Sequence, residues 1–163
     1  MSILKPGQKA PPFCLPSGPD KKICLKDFAG RPVILVFYPA DWSPVCTDQL
    51  SLYDLVLPQF EQHDAAILGI STDHIWSHLA FENNRHLHFP LLSDFEPKGE
   101  VAKLYGAYDD AGGTTARALF VIDRDQKIHW SYLSPSDQNP GADGILDALE
   151  SMDANRQPQG ELR

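Results

Sequence analysis

Two continuous apolar runs constrain the fold of this chain more than any other feature of its sequence. The run at 32–38 contains VILVF, and the run AAILGIST occupies 65–72, so both predict buried strands. In chain order the sequence predicts a hairpin (12–15 and 22–25), a strand (32–38), a helix (44–62), a strand (65–72), helices (75–87 and 98–105), strands (116–123 and 127–133) and a helix (142–153). This order predicts an α/β fold, with a mixed central sheet flanked by helices and an N-terminal β-hairpin.

The length and composition predict one domain. At 163 residues, with 42% hydrophobic and 22% charged residues, the chain can bury one sizeable core but is short for two domains. The last ten residues, ANRQPQGELR, lack apolar spacing. We therefore expect a single domain at 1–153 and a flexible tail at 154–163.

The net charge and the N-terminal sequence limit which partners and which cellular location we expect for the protein. The net charge is −8 and the basic residues are scattered, which argues against nucleic acid as a partner. No window approaches the roughly 18 apolar residues of a membrane span, and the start MSILKPGQKAPPF lacks the apolar stretch of a secretory signal. We expect a cytoplasmic protein that binds neither membranes nor nucleic acid.

The cysteine and histidine patterns argue against a metal site. The three cysteines Cys14, Cys24 and Cys46 form no CxxC pair and match no zinc-finger spacing. An odd number without an export signal also argues against a disulfide framework and predicts at least one free thiol. His74 and His78 have helical i, i+4 spacing, but no further ligand pattern completes a site. We expect no metal.

One of these cysteines lies at a predicted helix start. Ser43 followed by Pro44 is typical of an N-cap and a first helical residue, which puts Cys46 in the first turn. There the unpaired backbone N–H groups and the helix dipole stabilise a thiolate, the reactive form of cysteine. A free cysteine can equally be a small buried hydrophobe, and position alone does not decide between the two.

Several motifs resemble those of the peroxiredoxin family. PADWSPVC (39–46) resembles the family's active-site motif of a proline, a threonine or serine and the peroxide-attacking cysteine, and GTTARALFVID (113–123) resembles the strand that delivers its arginine. GISTD (69–73), FPLLSD (89–94) and KPGQKAPPF (5–13) extend the resemblance over most of 5–150. The resemblance implies a thioredoxin-like fold and thiol-dependent reduction of hydroperoxides without metal or bound cofactor. Serine at 43, where threonine is commoner, retains the hydroxyl.

The resemblance also implies a role for each matching residue. Cys46 would be the peroxidatic nucleophile, and Ser43 the hydroxyl that hydrogen-bonds the thiolate and the peroxide. Pro39 would shield the pocket from water, and Arg117 would hold the thiolate and the peroxide oxygen together. Gln49 would support Arg117. The plainer alternatives are a solvent-facing Arg117 at a strand end and a Gln49 on an exposed helix face.

The route by which the oxidised cysteine is reduced stays open. No cysteine follows Cys46, and the position five residues on is Ser51, so the resolving cysteines of the best-known members are absent. Either an outside thiol reduces Cys46, as in a one-cysteine enzyme, or Cys14 or Cys24 resolves it. Cys14 and Cys24 would also be cross-strand neighbours in the hairpin, where they could form a disulfide with each other or remain ordinary reduced thiols. We favour the one-cysteine alternative.

The partners implied are a hydroperoxide substrate and an external thiol reductant such as thioredoxin, glutaredoxin or a low-molecular-weight thiol. The family usually associates, so a homodimer is expected, with Trp42, Trp76 and Phe81 either at its surface or in the core. Two other functions share the fold. WSPVC is similar to the motif of thioredoxin-type disulfide reductases, but Ser43 replaces the attacking cysteine; a redox-inactive binding or holdase module would leave the site motifs unexplained.

Overall fold

The computed structural model describes the backbone of residues 1–161 and the side chains of residues 1–155. Its strands are β1 (Cys14–Gly18), β2 (Lys21–Cys24), β3 (Val33–Phe37), β4 (Ala66–Ser71), β5 (Leu91–Ser93), β6 (Tyr108–Asp109), β7 (Thr114–Thr115), β8 (Ala118–Ile122) and β9 (Ile128–Leu133). Its α-helices are α1 (Pro44–Leu55), α2 (Leu57–Gln62), α3 (Ile75–Arg85), α4 (Glu100–Leu104) and α5 (Asp143–Glu161), and a 3₁₀ helix covers Leu25–Phe28. Within this part of the chain, no helix is long and apolar enough to cross a membrane.

The central sheet has five strands in the order β5-β4-β3-β8-β9. Strands β3, β4 and β5 are parallel, whereas β8 and β9 are antiparallel to their neighbours. The prediction of an α/β fold with a mixed sheet and an N-terminal hairpin is therefore confirmed. The register pairs Phe37 with Ala118, which brings the end of β3 next to the start of β8.

The central strand β3 is buried along its whole length because both faces of the sheet are covered. Ile34 and Val36 point into one core, where α1, α2 and α5 pack. Val33, Leu35 and Phe37 point into the other, which the hairpin and the α4 region cover. Each of these side chains contributes about 1.5–3 kcal/mol by leaving water.

The predicted helix at 44–62 is wrong as a single element. It consists of α1 and α2, separated at Val56. Pro58 explains the break, because a proline has no N–H to donate to the carbonyl four residues earlier but is tolerated in the first turn of a new helix. The sequence reasoning did not foresee this interruption, nor the short strands β5, β6 and β7.

The C-terminal helix is longer than expected. Helix α5 continues to Glu161, past the predicted end at 153. Residues 162 and 163, the last two of the expected tail 154–163, lie outside the described residues. The division into a domain at 1–153 and a flexible tail stays a prediction.

Candidate active site

The candidate site lies where β3 ends and β8 begins. Because Phe37 pairs with Ala118, Arg117 lies across from the loop that follows β3. That loop contains Pro39, and it leads into α1 at Pro44. Residues far apart in the sequence thus meet where the central strand β3 ends and β8 begins.

Cys46 lies in the first turn of α1, as the sequence predicted. Ser43 is the N-cap, and its Oγ accepts a hydrogen bond of 3.2 Å from the backbone N–H of Cys46. This bond uses a lone pair of the serine oxygen, so the hydroxyl hydrogen remains available to another acceptor. The Cys46 side chain is a free thiol and is fully buried.

Arg117 is buried beside this thiol and does not face solvent. Its Nη1 donates to Cys46 Sγ at 3.3 Å and to Gln49 Oε1 at 2.7 Å. Its Nε and Nη2 donate to the backbone carbonyl of Ser136 at 3.2 and 2.9 Å. The guanidinium is therefore held from two sides, with one edge directed at the sulfur.

Gln49 is buried too, and it links Arg117 to a tyrosine. Its Nε2 donates to Tyr53 OH at 3.1 Å, and Tyr53 donates to the carbonyl of Gly141 at 2.9 Å. Burial raises the pKa of Tyr53 to about 12, although Gln49 and Arg117 act in the opposite direction. Tyr53 therefore stays a neutral donor near neutral pH and fixes the orientation of the Gln49 amide.

The Arg117 guanidinium has no carboxylate partner among the side chains that the structure describes. A buried charge is costly unless an opposite charge or hydrogen bonds compensate it. The neutral acceptors Gln49 and Ser136 compensate part of the cost. The Cys46 sulfur, 3.3 Å from Nη1, is the remaining acceptor within its reach.

A cavity of about 390 Å³ opens beside Pro39 and Arg117. Its polar lining includes Thr114, Thr115 and Ser136. The Oγ of Thr115 is buried and has no hydrogen-bond partner in the described residues. Arg117 thus contacts both the cavity and the Cys46 sulfur, and a small molecule in the cavity would meet the guanidinium.

A second polar cluster, which the sequence reasoning missed, lies behind the loop. We call it the Asp41 cluster; its members are Tyr38, Asp41, Ser71, Asp73, Ser77 and His78. Asp41, Asp73 and His78 each offer one potential metal-ligand atom, and these atoms lie within 4.8 Å of one another. All three side chains, however, hydrogen-bond to protein groups. The sequence signal was a polar residue just after each of two buried strands.

The i, i+4 spacing of His74 and His78 does not bring their two rings into one site. His74 is the N-cap of α3, where its Nδ1 accepts a hydrogen bond from the N–H of Trp76, and its ring packs on Phe95. His78 is fully buried in the Asp41 cluster. The two histidines therefore have separate surroundings.

The aromatic residues considered for a dimer surface divide into two groups. Phe81 is fully buried and belongs to the core, whereas Trp42 and Trp76 are 47% and 63% exposed. Trp42 packs edge-to-face on Phe81, with ring centroids 5.0 Å apart. Phe81 is thus excluded from an exposed surface, and the two tryptophans remain available.

Cys14 and Cys24 are paired across the hairpin and joined by a disulfide, with their Cα atoms 4.0 Å apart. Of the alternatives that the sequence left open, the structure has the pairing of these two cysteines with each other. The neighbouring hairpin residues Phe13 and Leu15 pack in the core on one face of the sheet, while Cys46 lies in the core on the other. Cys14 itself is exposed, whereas Cys46 is fully buried.

Glu82 of α3 provides a test of the surroundings of the Asp41 cluster. Burial raises the pKa of Glu82 from 4.5 to about 7, and its Oε2 has no hydrogen-bond partner in the described part of the chain. The folded state therefore holds this proton more tightly than the unfolded state, and the stability it provides is lost as the pH rises from about 4.5 to about 7. We expect Glu82→Gln to gain melting temperature relative to wild type between pH 5 and pH 8. The exposed Glu61→Gln is the control, and an equal difference at both pH values would contradict the expectation.

Comparison with known proteins shows similarity over the whole of this site. A family profile described as the AhpC/TSA family matches residues 6–131. A putative peroxiredoxin of Mycobacterium tuberculosis is 40% identical over 131 residues, which cover 77% of this chain and 82% of the relative. Alkyl hydroperoxide reductase E of the same organism is 31% identical over 153 residues, which cover 93% of this chain and 100% of the relative. The crystal structure of peroxidoxin BcpB from M. tuberculosis has a TM-score of 0.82 and 31% identity, and the match covers 91% of this chain and 98% of that one.

Proposed function

Because the chain belongs to the AhpC/TSA family of peroxiredoxins and is a thiol-dependent peroxidase, we propose that Cys46 is the thiol that attacks the hydroperoxide. The observation that carries this proposal is the 3.3 Å contact between Arg117 Nη1 and Cys46 Sγ, in a buried first helical turn. Cys14 and Cys24 are joined in a disulfide, which leaves Cys46 as the free thiol among the three cysteines.

The reaction follows from the groups around the sulfur. The Cys46 thiolate attacks the outer oxygen of the hydroperoxide, an S–O bond forms, and the O–O bond breaks. The leaving oxygen takes a proton and departs as an alcohol or water, and Cys46 becomes a sulfenic acid. An external thiol then attacks the sulfenic sulfur and releases water, and a second thiol displaces the mixed disulfide to restore Cys46.

Five residues assist the attack in this proposal. Arg117 stabilises the charge that moves onto the leaving oxygen, because its donors are already oriented before the peroxide arrives. Gln49 and the carbonyl of Ser136 hold the guanidinium in that orientation. Ser43 donates its free hydroxyl hydrogen to the thiolate or the peroxide, and Pro39, which lines the cavity, excludes water.

The cavity also bears on the substrate. A volume of about 390 Å³ lies within the range of small-molecule sites. We propose that both hydrogen peroxide and organic hydroperoxides are accepted, with the organic group in the cavity. The reductant is a thioredoxin, a glutaredoxin or a low-molecular-weight thiol. The enzyme acts as a cytoplasmic homodimer, for which the exposed Trp42 and Trp76 offer apolar surface.

We propose that the sulfenic acid is reduced by an outside thiol and not by Cys14 or Cys24. A disulfide needs Cα atoms within about 7 Å, and the two hairpin cysteines are already joined to each other, while Cys46 is buried in the core that contains α1. We expect the double variant Cys14→Ser/Cys24→Ser to turn over peroxide with a small-molecule thiol at the wild-type rate. Without thiol, Cys46 should accumulate as sulfenic acid. A Cys46 disulfide to either hairpin cysteine in the oxidised wild type, found by peptide mapping, would contradict this.

Three assays separate the proposed function from its alternatives. Peroxide consumption with a chemical dithiol should be fast, and its rate should be limited only by the supply of the thiol. A thioredoxin-type reductase would instead reduce insulin disulfides, and a holdase would suppress the aggregation of a client protein without consuming peroxide. Insulin reduction or holdase activity in the absence of peroxide consumption would overturn the proposal.

A further inference from the structure

Asp41 lies in the middle of the loop between β3 and α1, at the centre of the Asp41 cluster. Its side chain has no exposed surface. The carboxylate accepts hydrogen bonds from Tyr38 OH at 2.7 Å, from Ser77 Oγ at 2.9 Å and from His78 Nδ1 at 2.8 Å. Its backbone N–H donates to the carboxylate of Asp73 at 2.8 Å. Both the side chain and the backbone of Asp41 are thus fixed.

The two ring nitrogens of His78 both face hydrogen-bond acceptors. Nδ1 lies 2.8 Å from the Asp41 carboxylate, and Nε2 lies 3.0 Å from the backbone carbonyl of Leu92. A carbonyl has no hydrogen to give, so Nε2 must be protonated. The ring of His78 is therefore held at both nitrogens, and its contact with Asp41 ties the loop to α3 and β5.

The groups that surround this pair come from every element packed against it. Tyr38 follows β3, Asp73 follows β4, and Glu82 lies one turn further along α3. Burial, followed by the Asp41 charge, raises the pKa of Tyr38 well above its ordinary value, so Tyr38 remains a donor to Asp41. Lys21 of β2 also acts on Glu82.

The loop that Asp41 anchors carries backbone strain at Trp42, directly before the N-cap of α1. Trp42 has a φ of 72°, in the left-handed region that a bulky residue rarely adopts. Such a conformation persists only where surrounding contacts fix it. Asp41 supplies such contacts on the N-terminal side of Trp42, and the packing of the Trp42 ring on Phe81 supplies another. On the other side Ser43 begins α1 and caps the N–H of Cys46.

We propose that the buried pair Asp41–His78 positions Cys46 for its reaction. It fixes the loop so that Ser43 caps α1 and the sulfur faces Arg117. The inference rests on the proposed function, since it takes Cys46 as the reacting thiol. Asp41 and His78 act through the loop and do not contact the sulfur in the structure, so they are positioning residues.

A matched pair of substitutions tests the contacts. In Asp41→Asn, the amide nitrogen can hydrogen-bond to His78 Nδ1 and to Ser77 Oγ, while the amide oxygen accepts from Tyr38, so the loop is still held. Asp41→Ala removes these contacts. The rate constant for oxidation of Cys46 by peroxide should fall by roughly tenfold to a hundredfold in Asp41→Ala, which is the scale expected for a misplaced reacting group. In Asp41→Asn it should stay close to wild type, as it should in the control Asp48→Ala on the exposed face of α1.

Two results would overturn the proposal: a wild-type rate in a folded Asp41→Ala, or equal losses in Asp41→Ala and Asp41→Asn. Failure of the proposed function is a different result, since it would be seen as retained turnover in Cys46→Ser.

Discussion

We expect the Cys46→Ser variant to lose peroxide turnover altogether and to unfold at nearly the temperature of the wild type. The thiolate is the nucleophile and only sulfur can pass through the sulfenic acid, so a hydroxyl cannot take its place. Serine is slightly smaller and fits the buried site, and its oxygen can accept the hydrogen bond that Arg117 Nη1 donates to Sγ. Peroxide consumption with a dithiol and a thermal melt measure the two expectations.

The hairpin double variant Cys14→Ser/Cys24→Ser is the matched control, because it removes the other two thiols and leaves the buried site unchanged. Turnover should be lost in Cys46→Ser and retained in the control. The opposite result would move the peroxidatic role to the hairpin and contradict the assignment of Cys46.

The second large effect concerns Arg117. Replacing it by alanine should lower the rate constant for Cys46 oxidation by about 10²–10³, the usual cost of losing one preorganised donor. The guanidinium holds Cys46, Gln49 and the Ser136 carbonyl at once through a planar fork of donors. Lysine keeps the charge but not this geometry, so Arg117→Lys should recover only part of the rate. Rapid mixing with peroxide, followed by quenching and mass analysis, gives the rate constant.

An exposed arginine provides the control for this experiment. The side chain of Arg31 is 42% exposed and pairs with Asp64 on the surface. Arg31→Ala should oxidise at the wild-type rate. If Arg117→Ala were also oxidised at the wild-type rate, the role assigned to Arg117 as a donor that assists the attack of the sulfur would be wrong.

The sequence predicted the layout of the sheet because burial on both faces leaves a local signal. The runs at 32–38 and 65–72 correspond to β3 and β4, and Ser43-Pro44 marked the start of α1 correctly. The break at Val56 was missed because the apolar spacing continues through it, although Pro58 was visible. The strands β6 and β7 have two residues each, too few to show a period.

The site was partly visible for a different reason. Cys46, Ser43, Gln49 and Arg117 were named through a resemblance, and the structure places them within hydrogen-bond reach of one another. The sequence reasoning did not identify the Asp41 cluster, because its members come from segments that meet only after the sheet has formed. The Cys14–Cys24 disulfide stayed open since cross-strand spacing permits a bond without requiring one.

One measurement tests the central claim most directly. Wild-type protein is treated with one equivalent of peroxide in the absence of thiol, and its intact mass and peptide map are recorded. The account predicts a gain of one oxygen on the peptide that contains Cys46, with the Cys14–Cys24 disulfide unchanged. An unmodified Cys46, or an oxidation that falls on another residue, would contradict it.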